Sequence, residues 1–276
     1  MTGPASAAAA GTIEIGGDMV VRRLGFGAMR ITGNGIWGEP PDEGQAKATL
    51  RRVVELGVNF IDTADSYGPE VSERLIAETL YPYPEDLVIA TKGGLVRPGP
   101  GRWDPDGRPE HLRAACEGSL RRLRLDQIPL YQLHRPDRRV PLADSLGTLV
   151  QLKAEGKIRH IGTSNVSEAQ LRAAQQITPV VSVQNRYNAA DRQSESMVDL
   201  CEPEQIAFLP WAPIDSSRGT FGSGRWSWYT GIWSSRSRFK LPSQASRRCS
   251  GLPSASQRPG PGRTRPPLVA MTRSSG

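Results

Sequence analysis

The chain has 276 residues, 37% of them hydrophobic, with a formal net charge of +7 and three cysteines. That length suits one large α/β domain or barrel, and no run approaches the roughly 18 apolar residues that a membrane span needs. The positive charge is local: eleven of the 35 basic residues, and no acidic residue, follow Asp215, so residues 1–215 hold 24 basic and 28 acidic residues, a net of −4. The body is charged like an ordinary soluble enzyme, and only the tail has the charge of a nucleic-acid binder.

The first residues, MTGPASAAAAGTIEIGG, lack a basic start and a long apolar run, so no signal peptide is read there. A hairpin is expected over 12–21, turning at Gly16-Gly17. Strand-like apolar runs then alternate with amphipathic helical stretches, the pattern of repeated βα units around a parallel sheet. Strands are expected at 24–27, 59–63, 87–91, 129–133, 159–163, 181–184 and 207–211. Helices are expected near 43–56, 70–80, 109–123, 142–155, 168–176 and 193–201, with Ser167 as a start signal and Gly57 and Gly156 as stops. Cys116, Cys201 and Cys249 are too scattered for a disulfide framework or a metal-ligand set, which fits a reducing, cytoplasmic setting.

Four strings place reactive side chains where strands end. FIDTADSYG puts Asp62 at the end of the second strand and Tyr67 five residues on; IATKGG puts Lys92 at the end of the third. LYQLHRPD puts His134 at the end of the fourth, and IGTSN puts Ser164 and Asn165 just after the fifth. In α/β barrels these strand ends and the loops after them build the active site. Taken singly, Asp62 and Lys92 read as solvated charges and Tyr67 as packing, while His134 reads equally as a hydrogen-bonded structural histidine or a catalytic one.

Taken in order, Asp62, Tyr67, Lys92 and His134 resemble the tetrad of the aldo/keto reductases, and the resemblance covers roughly residues 12–214. It implies a (β/α)8 barrel of the TIM type and reduction of an aldehyde or ketone by NADPH, with NADH as the alternative. It implies that Tyr67 donates the proton, that Lys92 lowers the tyrosine pKa from about 10, that Asp62 holds the lysine, and that His134 orients the substrate oxygen. It also implies that Ser164, Asn165 and Gln184 bind the nicotinamide carboxamide, that Trp211 stacks on its ring, and that Ala212, Pro213 and Ile214 approach the pyrophosphate. Gly27, Ala28 and Met29 would pass the nicotinamide end. No GxGxxG is present, as expected for a dinucleotide held across a barrel.

Trp37 and Trp103, in Gly/Pro-rich loops, are candidate walls of a substrate pocket. The strings GAMRITGNGIWG, DSYGP, ETLYPYPEDL and VQNRYN are similar to a bacterial branch that includes pyridoxal reductases, which makes pyridoxal or another small aldehyde the expected substrate. A second reading is a non-catalytic, cofactor-binding or regulatory protein of the same fold; a third is an inactive remnant.

Only seven strands and six helices are legible, so the barrel is expected to be incomplete. Residues 1–215 form the barrel-like unit. Residues 216–276 read as a basic tail rich in Ser, Arg, Gly and Pro, with no helical period, no strand and no counterpart of the family's IPGT-like loop for the adenosine end. Disorder or a shifted reading frame is the expectation there, with a genuine extension that binds an acidic partner or nucleic acid as the alternative.

Overall fold

The computed structural model describes residues 6–213 together with the backbone of Tyr229–Gly231. The hairpin comes first: β1 (Thr12–Ile15) pairs antiparallel with β2 (Met19–Arg22) across the Gly16-Gly17 turn. Its alternation buries Ile13, Ile15, Met19 and Val21. These four pack on Phe60, Ala90, Leu130, Ala207 and Leu209 of the strands that follow, so the hairpin plugs one end of the sheet interior. Full burial of such a side chain contributes about 1.5–3 kcal/mol.

The seven expected strands form one parallel run: β3 (Leu24–Gly27), β4 (Phe60–Asp62), β5 (Val88–Gly93), then β8 (Ile128–Leu133), β9 (Ile158–Ser164), β10 (Ser182–Gln184) and β11 (Ala207–Phe208). A short antiparallel pair, β6 (Leu95–Val96) and β7 (Asp104–Pro105), projects after β5 and carries the segment with Trp103. That pair was not anticipated. The helices are α1 (Glu43–Glu55), α2 (Val71–Leu80), α3 (Pro109–Leu123), α4 (Leu142–Ala154), α5 (Glu168–Gln175) and α6 (Glu195–Cys201). Local chemistry sets their ends. Asp42 accepts from Gln45 N at the start of α1, Pro109 opens α3, and Ser167 forms a capping box with Gln170 before α5.

Outward-facing strand residues and the helices' inner faces make two further apolar clusters. One gathers Phe26, Leu50, Ile61, Leu75 and Ile89. The other gathers Leu112, Tyr131, Leu149, Ile161, Leu171 and Phe208. Cys116 and Cys201 are free and buried, and burial pushes both thiols up to about 12. Among the described residues, no helix is long and apolar enough to cross a membrane.

Two expectations need correction. The seventh strand stops at Phe208 rather than 211, although Leu209 N and Trp211 N go on donating to Val183 O and Asn185 O and Trp211 bridges Arg186 beyond it. The tail sequence predicts no strand, yet Tyr229–Gly231 form β12, which pairs with β3 through Tyr229↔Phe26, Thr230↔Gly25 and Gly231↔Leu24. A strand of three residues is too short to show the alternation by which strands are read. β12 is antiparallel and is therefore not an eighth βα unit. Among the described residues the sheet runs from β11 to β12, and no pairing joins those two strands. Ile214, Cys249 and the rest of 216–276 lie outside the described residues.

Candidate active site

The C-terminal ends of the parallel strands gather the predicted tetrad. Asp62 closes β4, Lys92 sits one residue before the end of β5, and His134 follows β8 directly. Tyr67 lies on the loop between β4 and α2. Lys92 is fully buried, and its ammonium donates to Asp62 Oδ2 at 2.7 Å, Thr63 O at 2.8 Å and Tyr67 Oη at 3.3 Å. An ammonium has three donors, and all three are used. Asp62 Oδ1 accepts from Gln184 Nε2 at 2.9 Å and from Gln132 Nε2 at 3.2 Å. Both ions of the buried pair are thus hydrogen-bonded as well as paired, which is what such a pair needs to persist.

Burial opposes the Lys92 charge, but Asp62 and then Tyr67 outweigh it, and the lysine pKa is raised. Tyr67 differs from expectation. Lys92 does pull its pKa down, but burial is the larger effect and Asp62 adds to it, so the phenol sits above its usual value. The phenol therefore holds its proton at neutral pH. His134 is held well below the usual imidazole value by burial, with Lys92 and Arg135 adding to it. It is neutral at neutral pH, and Ser66 Oγ lies 3.3 Å from its Nδ1.

The expected nicotinamide residues also come together. Ser164 closes β9, and its hydroxyl donates to Gln184 O at 2.9 Å. Asn165 Nδ2 donates to His134 O at 3.1 Å and to Ser164 Oγ at 3.0 Å, while its Oδ1 accepts from Trp211 Nε1 at 3.2 Å. Gly27 pairs with Asp62 in register, and Ala28 and Met29 begin a 3-10 turn beside it. Ala212 and Pro213 are half-buried, and Ala212 O accepts from Asn188 Nδ2 at 2.9 Å. Gln184 has a duty the sequence did not suggest, since its amide nitrogen serves the Asp62 carboxylate.

Trp103 meets Tyr67 edge to face at 6.3 Å between ring centroids, and His134 at 6.5 Å. Trp37 stands farther along, bridged to Gly68. Four non-glycine residues in this region have left-handed φ: Ile36 at 59°, Glu70 at 68°, Asn165 at 57° and Ala212 at 52°. For a β-branched residue such as Ile36 this is a strained conformation, and strain of this kind collects at functional sites. Sequence reading missed Ser66, Arg97 and Gln132, each of which acts across many positions of chain and carries no spacing signal.

The aldo/keto reductase family profile matches residues 23–222. An uncharacterized oxidoreductase of Schizosaccharomyces pombe is 54% identical over 210 residues, which span 76% of this chain and 68% of that protein. Pyridoxine 4-dehydrogenase of Escherichia coli is 39% identical over 209 residues, spanning 72% and 71%. Among solved structures, a glycerol dehydrogenase from Gluconobacter oxydans aligns with a TM-score of 0.68 at 31% identity, covering 78% of this chain and 69% of its own. An aldo/keto reductase from Klebsiella pneumoniae, in complex with NADP and acetate, aligns with a TM-score of 0.64 at 25% identity, covering 77% and 73%. A profile match over most of its length, together with relatives this similar, means that this chain belongs to the aldo/keto reductase family.

Proposed function

We propose that this protein reduces a small aldehyde or ketone to the alcohol, taking the hydride from NADPH, with NADH as the alternative. The observation that carries the reading is the Lys92 ammonium, fully buried and bonded to both Asp62 and Tyr67 Oη. Tyr67 keeps its proton until charge develops on the substrate oxygen, and Lys92 then stabilises the phenolate that remains. Asp62 keeps the lysine charged. His134, neutral, donates from Nε2 to the substrate oxygen when Ser66 donates to Nδ1, and this fixes the oxygen against Tyr67.

The residues fit the nicotinamide end of a dinucleotide. Ser164, Asn165 and Gln184 offer the mixed donors and acceptors a carboxamide requires, and the half-buried Trp211 indole offers a flat face. Gly27, Ala28, Met29, Ala212 and Pro213 supply backbone alongside, and Ile214 is assigned to the same end on sequence alone. When bound there, the dinucleotide supplies the hydride. The tail sequence has no counterpart of the family's adenosine-end loop, so this chain should hold NADPH weakly.

Pyridoxal or another small planar aldehyde is the substrate we favour. The similarity to a pyridoxine 4-dehydrogenase supports this, as does the Trp103 ring set beside Tyr67 and His134. Trp37 extends the same wall. The test is oxidation of excess NADPH by the full chain with 4-nitrobenzaldehyde and with pyridoxal. Turnover that disappears in Tyr67→Phe is the expected result. Quenching of Trp fluorescence by NADPH without turnover would instead support the non-catalytic, cofactor-binding reading; neither signal would support the inactive remnant.

A further inference from the structure

Arg97 follows β6 and is 9% exposed. It makes no salt bridge among the described residues. Its partners are backbone carbonyls: Arg102 O at 2.7 Å from Nε, Ile36 O at 2.8 Å and Ser66 O at 3.2 Å from Nη1, and Gly35 O at 3.2 Å from Nη2. Four of its five N–H donors are thereby spoken for. The guanidinium carbon lies 3.6 Å from the Trp103 ring centroid and 5.5 Å from that of Trp37.

The choice of carbonyls is informative. Ile36 precedes Trp37, Ser66 precedes Tyr67, and Arg102 precedes Trp103. One planar group thus fixes the peptide immediately before each of three aromatic residues at the site. It also holds the strained Ile36 peptide, at φ 59°, in place. The Ser66 side chain reaches the His134 ring, so the same group fixes the residue that touches the imidazole.

We propose that Arg97 is a positioning residue that sets the aromatic substrate wall and the Tyr67 loop together, and so selects planar aromatic carbonyl substrates. The proposal rests on the reductase reading for its kinetic consequence, though not for its structural one. Lysine cannot replace the arginine, because an ammonium has three tetrahedral donors and no flat face to lie against an indole. Burial lowers the Arg97 pKa, in keeping with a cation that carbonyl dipoles and rings hold in place of a carboxylate.

The test compares the full chain with Arg97→Lys and Arg97→Met by acrylamide quenching of Trp fluorescence and by near-UV circular dichroism. Both variants should show increased quenching and reduced near-UV signal, with far-UV signal retained. The change should vanish when Trp37→Phe and Trp103→Phe are already in place. Kinetically, Arg97→Lys should raise KM for 4-nitrobenzaldehyde about tenfold and KM for propanal less than about twofold, while kcat falls by a similar factor for both because both depend on the Tyr67 loop. Unchanged quenching and near-UV signal, or equal KM effects on the two aldehydes, would overturn the proposal. If Arg97→Met does not fold, Arg97→Lys decides alone. If the wild-type chain shows no turnover, the reductase reading has failed, and the spectroscopic arm still decides whether Arg97 sets the wall.

Discussion

The two ends of the sheet interior are built from opposite materials. At the strands' C-terminal ends, the Asp62–Lys92 pair is buried with Gln132 and Gln184, and nearby backbone is strained at Ile36. At the other end, Ile13, Ile15, Met19 and Val21 close the interior with hydrocarbon. Charge in that second region stays near solvent: Asp18, half exposed on the hairpin turn, accepts from Arg159 at 2.6 Å and bonds His160 at 2.6 Å. The difference shows a division of labour. Buried charge costs desolvation and persists only where it is paired and hydrogen-bonded, whereas apolar contact holds the strands that present it. Changes at the first end should move rate more than stability, and changes at the second should do the reverse.

Tyr67→Phe should give the largest rate effect, a fall in turnover of about 10²–10⁴-fold, the range for losing a positioned acid. Stability should fall by about 1–3 kcal/mol, because the ring is kept but one donor of the buried Lys92 ammonium loses its partner. Comparable turnover in the mutant, measured under saturating substrate, would remove Tyr67 from the acid role. Lys92→Met blurs the division. It leaves Asp62 buried without its ammonium, so a stability loss of about 3–5 kcal/mol is expected on denaturant titration. Because the lysine's pKa is raised in the folded protein, its contribution is complete below the ordinary lysine range and fades as pH climbs through the raised value. The alkaline fall of stability should therefore be shallower in the mutant. With the cation gone, Tyr67 should hold its proton to higher pH, and the alkaline limb of the reduction profile should move up.

Gly16→Ala tests the hairpin end. A Cβ there would lie 2.6 Å from His160 Cε1, on a backbone at φ 69°. The expected cost is about 1–3 kcal/mol, seen as a lower Tm with KM unchanged; a KM shift of several fold would break the division. Asp65→Asn should have the smallest effect. Asp65 is buried, its Oδ1 has no hydrogen-bond partner among the described residues, and burial, with Glu73 adding to it, holds its carboxyl well above the usual range. A raised carboxyl pKa means that stability is greatest below the unfolded value and is lost as pH rises toward the folded one. The amide should flatten that stretch of the pH–stability curve and leave acid stability unchanged. A mutant curve parallel to wild type would contradict it.

Much of this was legible in the sequence because it was local. Strand ends, helix starts at Ser167 and the tetrad's order each depend on neighbours a few residues apart. What stayed hidden depends on loops that meet only after folding. Arg97 looked like one arginine in a Gly/Pro-rich stretch, yet its partners Gly35 and Ile36 are 62 and 61 positions away. Gln132 reaches Asp62 across 70 positions. The Tyr67 shift was misjudged because only the neighbouring cation could be inferred from sequence; the depth of burial, which decides the sign, could not. β12 was hidden for a different reason, since its three residues are too few to show an alternating pattern.

The raised pKa of Lys92 also bears on which reaction the site carries out. A primary amine close to an aldehyde ordinarily condenses with it, and a desolvated lysine with a depressed pKa is how enzymes form Schiff bases. Lys92 is desolvated too, yet Asp62 and Tyr67 turn the shift upward, and its three protons point at three oxygens. Its nitrogen has no free lone pair to offer an electrophile. That disfavours imine formation and accords with the proposed reduction of a carbonyl.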